Sequence, residues 1–282
     1  HERVVMSVST APSAAARLPP PYSGLAVAWQ GLRGLKILLP FAILIAIWWA
    51  IKASGDFPDN VLVSPLKTWD AFVHLATYGV LAEYASTSLT MIAVASLVSM
   101  AAGVPVGFAV GTNRYAAHSL EGFLRFLQSI SGIAWLPLAI IWFGFSHTTT
   151  LVIVVYSLIV PIIFNTMVGV RAIPENYSLA LRSLGASRLR LVTDVYLPGA
   201  LPSIVVGLRL GMGYGWRALI AAEMLVRKGG LGDLIFGART FGQIDRIIVG
   251  MITIGCLYVV IDRLLVQPIE NITVARWGML RK

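Results

Sequence analysis

Stretches of uncharged, mostly apolar residues follow one another along the chain, each closed by a charged residue. Positions 37–51 carry no charge and, with their flanks, predict a first helical span over 35–53. Positions 84–113 are uncharged throughout and predict a second. The run 126–170 is too long for one crossing, which takes about 20 residues at a rise of about 1.5 Å each. The polar knot Ser146-His147-Thr148-Thr149-Thr150 divides it into a third span and a fourth. Segments 199–225 and 247–266 predict a fifth and a sixth. The expected fold class is an all-α membrane protein with about six transmembrane helices. Pro105, Pro137 and Pro161 fall inside these spans and predict local kinks.

Composition agrees with this pattern: 57% of the 282 residues are hydrophobic and 12% charged, where soluble domains carry about 25% charged residues. A net charge of +9 needs no nucleic acid partner, because polytopic proteins retain Lys and Arg on their cytoplasmic side. With the N-terminus inside, the outer segments hold only Lys52, Lys67, Arg227, Lys228, Arg239 and Arg246. The other cations fall inside, apart from Arg209 and Arg217 within the fifth span. Both termini are then cytoplasmic. Residues 1–33, with Pro19-Pro20-Pro21 among Ala and Ser, are expected to form a flexible cytoplasmic tail. The span domain covers 34–270, and 271–282 make a short cytoplasmic C-terminal tail. A lone Cys256 excludes an internal disulfide and argues against a metal cluster.

One segment breaks the apolar rhythm. The loop 171–198 carries Arg182, Arg188, Arg190 and Asp194 around Gly185. Tyr177, Ala180, Leu181 and Leu184 recur at i, i+3, i+4 and i+7, one face of a short helix. Gly185 suits a left-handed helix end, and Ser187 can cap a second short helix over 188–197. Pro198 then restarts the chain into the membrane. This helix, sharp turn and helix present a small surface to a cytoplasmic partner.

The spacing of Gly185, nine residues, Val195, one residue and Leu197-Pro198 resembles the cytoplasmic "EAA" loop of ATP-binding-cassette importer permeases. The nitrate/sulfonate/taurine/bicarbonate group fits best. Trp142-Phe143-Gly144, Asn165-Thr166, Gly207-Leu208-Arg209 and Ala221-Ala222-Glu223-Met224 are similar to the same group, and the resemblance covers 35–278 in order. It departs at the family's leading Glu and second Ala, which are Leu179 and Leu181 here, so the contact made by that Glu is not carried over. The resemblance implies a type I ABC importer permease fold with a cytoplasmic coupling helix, in the bacterial cytoplasmic (inner) membrane. It implies a homodimer with a second copy of the permease, two cytoplasmic ATP-binding subunits, and an extracytoplasmic solute-binding protein. The coupling contact would involve Ala180, Leu184, Gly185, Ala186, Ser187, Arg188, Leu189, Leu197 and Pro198. No cofactor is expected in this chain, with ATP and Mg held by the partner subunits. Independently, no G-x-x-x-x-G-K-[ST] loop occurs, and Gly229-Gly230-Leu231-Gly232 has no following Lys. The chain has no ATPase site of that kind.

Small residues recur every four positions in the fifth span (Gly199, Ser203, Gly207, Gly211, Gly215) and in the second (Gly103, Gly107, Gly111). Such stripes let helix backbones approach closely in lipid and predict packing within the subunit. Arg209, Gly213, Trp216, Ile220 and Glu223 lie within about 40° of one line at about 100° per residue, roughly opposite the stripe. Ionisable residues at membrane depth face a partner or a wet path, so Arg209, Trp216, Arg217 and Glu223 are the candidate translocation pathway. The two arginines favour a small anion. Arg209 and Glu223 stand about 21 Å apart along a straight helix and cannot pair.

A membrane enzyme is the weaker alternative, since His74, His118 and His147 fall in separate loops and no nucleophile pairs with a base. An ion-driven secondary transporter or channel is the stronger one. It would work in vesicles without any ATPase.

Overall fold

A computed structural model of the chain describes residues 39–55 and 57–276. The expected tail at 1–33, the first residues of the first span and positions 277–282 lie outside the described residues. The structure forms two compact units, divided after Asp56. In the first, Leu39–Ala53 is an apolar helix (α1), shorter than a full crossing.

The second unit is helical throughout its regular structure. It runs α2 (Pro65–Thr77), α3 (Val80–Thr112), α4 (Arg114–Ser129), a 3-10 turn (Gly132–Trp135), α5 (Leu136–Phe143), α6 (His147–Arg171) and α7 (Glu175–Ser183). Then come α8 (Arg188–Leu191), a π turn (Val192–Tyr196), α9 (Leu197–Val226), α10 (Leu231–Thr240), α11 (Ile244–Ile261), a second π turn (Asp262–Val266) and α12 (Gln267–Arg276). Their ends follow from local chemistry. Ser64 caps α2 by accepting the Lys67 N–H at 3.3 Å, with Pro65 in the first turn. Asn113 turns the corner between α3 and α4, its Oδ1 accepting the N–H groups of Tyr115 and Ala116 at 3.1 and 3.2 Å. Ser146, from the polar knot, caps α6 through the Thr149 N–H at 3.3 Å. The knot divides the long apolar run as expected.

Four segments are long and apolar enough to cross a membrane: Val80–Thr112, His147–Arg171, Leu189–Val226 and Ile244–Glu270. Arg114–Ser129 with Gly132–Phe143 makes a fifth if that pair, bent by 80°, is one span. With α1 this is compatible with about six helices, but the expected straight third span is a broken one. Its helix begins at Arg114, twelve residues before the uncharged run, because Glu121 and Arg125 sit one turn apart and form an ion pair on its face. Charge hid the helix start. Pro137 kinks no span; it occupies the first turn of α5, where a missing N–H costs nothing. Pro105 and Pro161 do lie inside helices.

Pro198 does not restart the chain either. α8, the π turn and α9 form one continuous helix from Leu189 to Val226, in which the Leu197 N–H bonds the Val192 carbonyl. The wider turn just before Pro198 eases the clash its ring would make with a carbonyl one turn back. At the other end, α12 continues to Arg276, past the expected boundary at 270.

α6 is the centre of the unit, with Ile153, Val154, Leu158, Ile162 and Met167 fully buried. α3 packs on one side of it through Gly103, Gly107 and Gly111, and α9 on the other through Gly207, Gly211 and Gly215. A methyl at Gly207 would sit 2.8 Å from Asn165 Cβ and 3.1 Å from the Pro161 carbonyl oxygen. Both stripes thus pack within one chain. In lipid, where apolar side chains gain little by meeting, close backbone approach supplies the attraction.

Candidate functional site

The loop 171–198 has the predicted first helix and sharp turn, while its second helix runs on into α9. α7 ends at Leu184, and Gly185 follows at φ 79°. The Ala186 N–H reaches back to the Leu181 carbonyl at 3.0 Å, and the Gly185 N–H to that of Arg182 at 2.9 Å. That pair of bonds is the glycine-closed helix end that only a left-handed residue completes. Ser187 then caps α8, its Oγ accepting the Arg190 N–H at 3.4 Å. The apolar face of α7 is turned outward: Leu184 is 84% exposed, Leu189 across the turn is 71% exposed, and Tyr177, Leu179 and Ala180 are exposed too. Ala186 and Pro198 are half-buried, and Ser187 and Leu197 exposed. Nothing in the second unit covers this tip.

The four residues expected to share a pathway are not brought together. Arg209 is held by two carboxylates of the last span: Nη1 donates to Glu270, and Nη2 to Asp262 at 3.4 Å. Gln267 Nε2 also donates to Asp262, at 3.1 Å. Trp216, 4% exposed, is packed in the core with its ring 6.2 Å from that of Tyr258. Glu223, also 4% exposed, is a fastening between helices. Its carboxylate accepts from Ser88 Oγ of α3 at 2.8 and 2.9 Å and from the Gly232 N–H at 3.0 Å. The Ser88 Oγ in turn accepts the Leu231 N–H at 2.9 Å. Glu223 and Ser88 thereby satisfy two free amides in the first turn of α10, where negative charge is favoured. The face of α9 opposite its glycines is thus covered by α3, α10 and the last span. On that face Trp216 and Glu223 are buried, while the Arg209 side chain is 40% exposed.

Arg217 opens onto a cavity. It lines a cavity of 360 Å³ together with Tyr214 and Ala218 of α9, residues 127–133 at the break after α4, and Tyr156, Ser157, Val160 and Pro161 of α6. No Asp or Glu lines this cavity, and Arg217 has no carboxylate partner among the described residues. Irregular backbone at membrane depth is tolerated where it lines a cavity, and the break at 130–132 lines this one. Among the described residues no cluster of His, Cys, Asp and Glu could hold a metal ion.

The sequence pattern of the binding-protein-dependent transport system inner membrane components matches residues 103–266, more than half of the chain. The chain belongs to this family. It is 30% identical over 221 residues to the taurine transport system permease protein TauC of Escherichia coli, covering 77% of this chain and 80% of that one. It is 29% identical over 264 residues to the nitrate import permease protein NrtB of Leptolyngbya laminosa, covering 90% and 93%. With the putative aliphatic sulfonates transport permease protein SsuC of Bacillus subtilis it shares 30% identity over 216 residues, 77% and 78% of the two chains. The inward-facing MetNI methionine ABC transporter superposes with a TM-score of 0.51 at 22% identity, covering 67% of this chain and 92% of that chain. At that identity the likeness speaks for the fold, which is that of a type I ABC permease.

The permease is therefore a multi-pass inner membrane component whose ATP-binding and solute-binding partners are separate proteins. Sequence reasoning missed the cavity residues Gln128, Ser131, Tyr156 and Tyr214. A signal was present. Gln128-Ser129-Ile130-Ser131-Gly132 places four small or polar residues inside an otherwise apolar run, the mark of a span that cannot stay helical and lipid-facing.

Proposed function

We propose that the permease carries a small anion inward, as the membrane half of an ATP-driven importer working as a homodimer. Its relatives are named for taurine, nitrate and aliphatic sulfonates, which supports a sulfonate or small inorganic oxyanion as the cargo; the proposed range extends to bicarbonate. Two partner subunits hold ATP and Mg, and this chain holds neither. The loop 171–198 lies on the cytoplasmic side with both termini and docks into those subunits. A single observation supports the coupling reading best: the apolar tip at Leu184 and Leu189 is uncovered in its own chain, and Leu189 begins the same continuous helix that reaches Arg217. A displacement of the tip is transmitted along that rod to the cavity wall. ATP binding would favour one of two arrangements and hydrolysis the other, by differential contacts alone. Leu179, where the family carries Glu, offers the partner an apolar contact instead of a charged one.

The test is reconstitution in proteoliposomes with the ATP-binding and solute-binding partners. ATP-dependent anion uptake is expected, and Gly185→Val is expected to lose it together with partner docking, since a β-branched residue at positive φ costs about 1–2 kcal/mol or more. The same uptake by vesicles holding this chain alone would instead identify an ion-driven transporter or channel.

A further inference from the structure

The cavity at the break between α4 and the 3-10 turn has a donor inventory of one kind. Seven of its lining residues have polar side chains or hydroxyls of interest, and their hydrogen bonds sort them. Tyr156 spends its proton on the Leu127 carbonyl at 2.8 Å, Ser157 on that of Ile153 at 2.9 Å, and Ser129 on that of Phe126 at 2.7 Å. Gln128, Ser131, Tyr214 and Arg217 make no side-chain bond among the described residues. What remains unspent is therefore a guanidinium with five N–H groups, a carboxamide and two hydroxyls. All of them can donate, and no carboxylate competes.

The placement adds to this. Arg217 lies within an apolar helix of membrane-crossing length, where a guanidinium without a counter-charge is costly. Its neighbour Arg209, two turns earlier on the same helix, is neutralised by Asp262 and Glu270, so the protein supplies counter-ions where the charge is structural. It leaves Arg217 without one among the described residues, beside a cavity lined by polar side chains. A volume of 360 Å³ suits a small organic anion or a hydrated inorganic one.

We infer that Arg217, Ser131, Gln128 and Tyr214 form an anion subsite within the permease itself, which takes the oxyanion head of the cargo between the two gates. The guanidinium fork receives two oxygens in parallel, and the hydroxyls and the carboxamide complete the shell. Selection by the solute-binding protein is then followed by a second, charge-reading contact in the membrane. This inference rests on the importer reading and sharpens it.

The experiment uses the reconstituted complex with its partner subunits and solute-binding protein, and taurine and nitrate as separate radiolabelled probes. If neither probe is taken up by the wild-type complex in an ATP-dependent way, both arms being negative overturns the oxyanion cargo and the subsite with it. If one is, the reading of function stands and the variants decide the subsite. Arg217→Gln is expected to assemble in normal yield and to lose at least tenfold in uptake. Arg217→Lys, which keeps the charge but not the fork, is expected to retain an intermediate rate with a raised apparent KM. Ser131→Ala and Tyr214→Phe are expected to raise the apparent KM severalfold without lowering complex yield. A purely structural role for Arg217 would lower yield and melting temperature in Arg217→Gln and leave the KM of Ser131→Ala and Tyr214→Phe at the wild-type value. That pattern, or wild-type uptake by Arg217→Gln, overturns the subsite. Which of the two probes competes for uptake distinguishes a sulfonate from an inorganic oxyanion.

Discussion

Arg209 and Arg217 stand on the same helix, about 12 Å apart along its axis, and their surroundings could hardly differ more. Around Arg209 the last span delivers Asp262 and Glu270, and Gln267 steadies Asp262. Around Arg217 the neighbouring elements are a broken span and the middle of α6, which bring hydroxyls and amides but no carboxylate. One guanidinium ties two helices together; the other has no bonded partner among the described residues and lines a cavity. Residue type and helix are the same, so neither decides the role. The partners that other helices carry to each site decide it.

Removing the Arg209 charge is expected to have the largest effect. Arg209→Met removes the counter-charge that Asp262 and Glu270 share, and breaking a fully buried pair costs about 3–5 kcal/mol. These side chains are partly exposed (20–40%), so screening brings the loss below that range, to roughly 2–3 kcal/mol, and a clear fall in detergent melting temperature is expected. Adding Asp262→Asn and Glu270→Gln should restore most of it. An unstable triple variant would show that the site needs its charge, not merely its balance, and the comparison would fail.

Gly207→Ala probes the opposite face of α9. With Asn165 Cβ only 2.8 Å from the new methyl, overpacking should cost about 1–3 kcal/mol, read as a drop in melting temperature. Gly213→Ala, which meets only the Tyr258 hydroxyl at 3.3 Å, should cost less. Equal losses would mean that α9 and α6 can separate without penalty.

Ser88→Ala should cost about 1–3 kcal/mol, since it strips Glu223 of a donor and leaves the Leu231 N–H without its acceptor. Protease nicking at the corner between α9 and α10 should rise with it. A variant with wild-type resistance there would remove Glu223 from the class of fastened charges to which Arg209 belongs.

The smallest effect on stability is expected from Arg217→Ala, within about 0.5 kcal/mol of wild type, as for a side chain without bonded partners. A melting temperature that fell as far as for Arg209→Met would erase the difference between the two arginines.

Much of this permease was legible along the chain. Uncharged runs marked the spans, the Ser146 knot marked the start of α6, and the four-residue stripes marked the faces that meet α6. The turn at Gly185 was legible because its cause is local: a helix ends, and only a left-handed residue closes it. The broken span was less so. Its charged first half lay outside the uncharged run, and its Gln, Ser and Gly interruption is short. Pro198 misled for a related reason, since a π turn just upstream lets the helix pass through it.

The sequence by itself determined what depends on neighbours within a turn or two: membrane residence, several helix ends, the turn at Gly185 and the glycine faces. Only the tertiary structure decided which buried charge is spent. Asp262 and Glu270 lie more than 50 positions from Arg209, and Ser88 lies 135 from Glu223. Spacing along one helix puts a charge on a face, but an ion pair is a fact about two helices. Its partner is chosen by how the bundle packs.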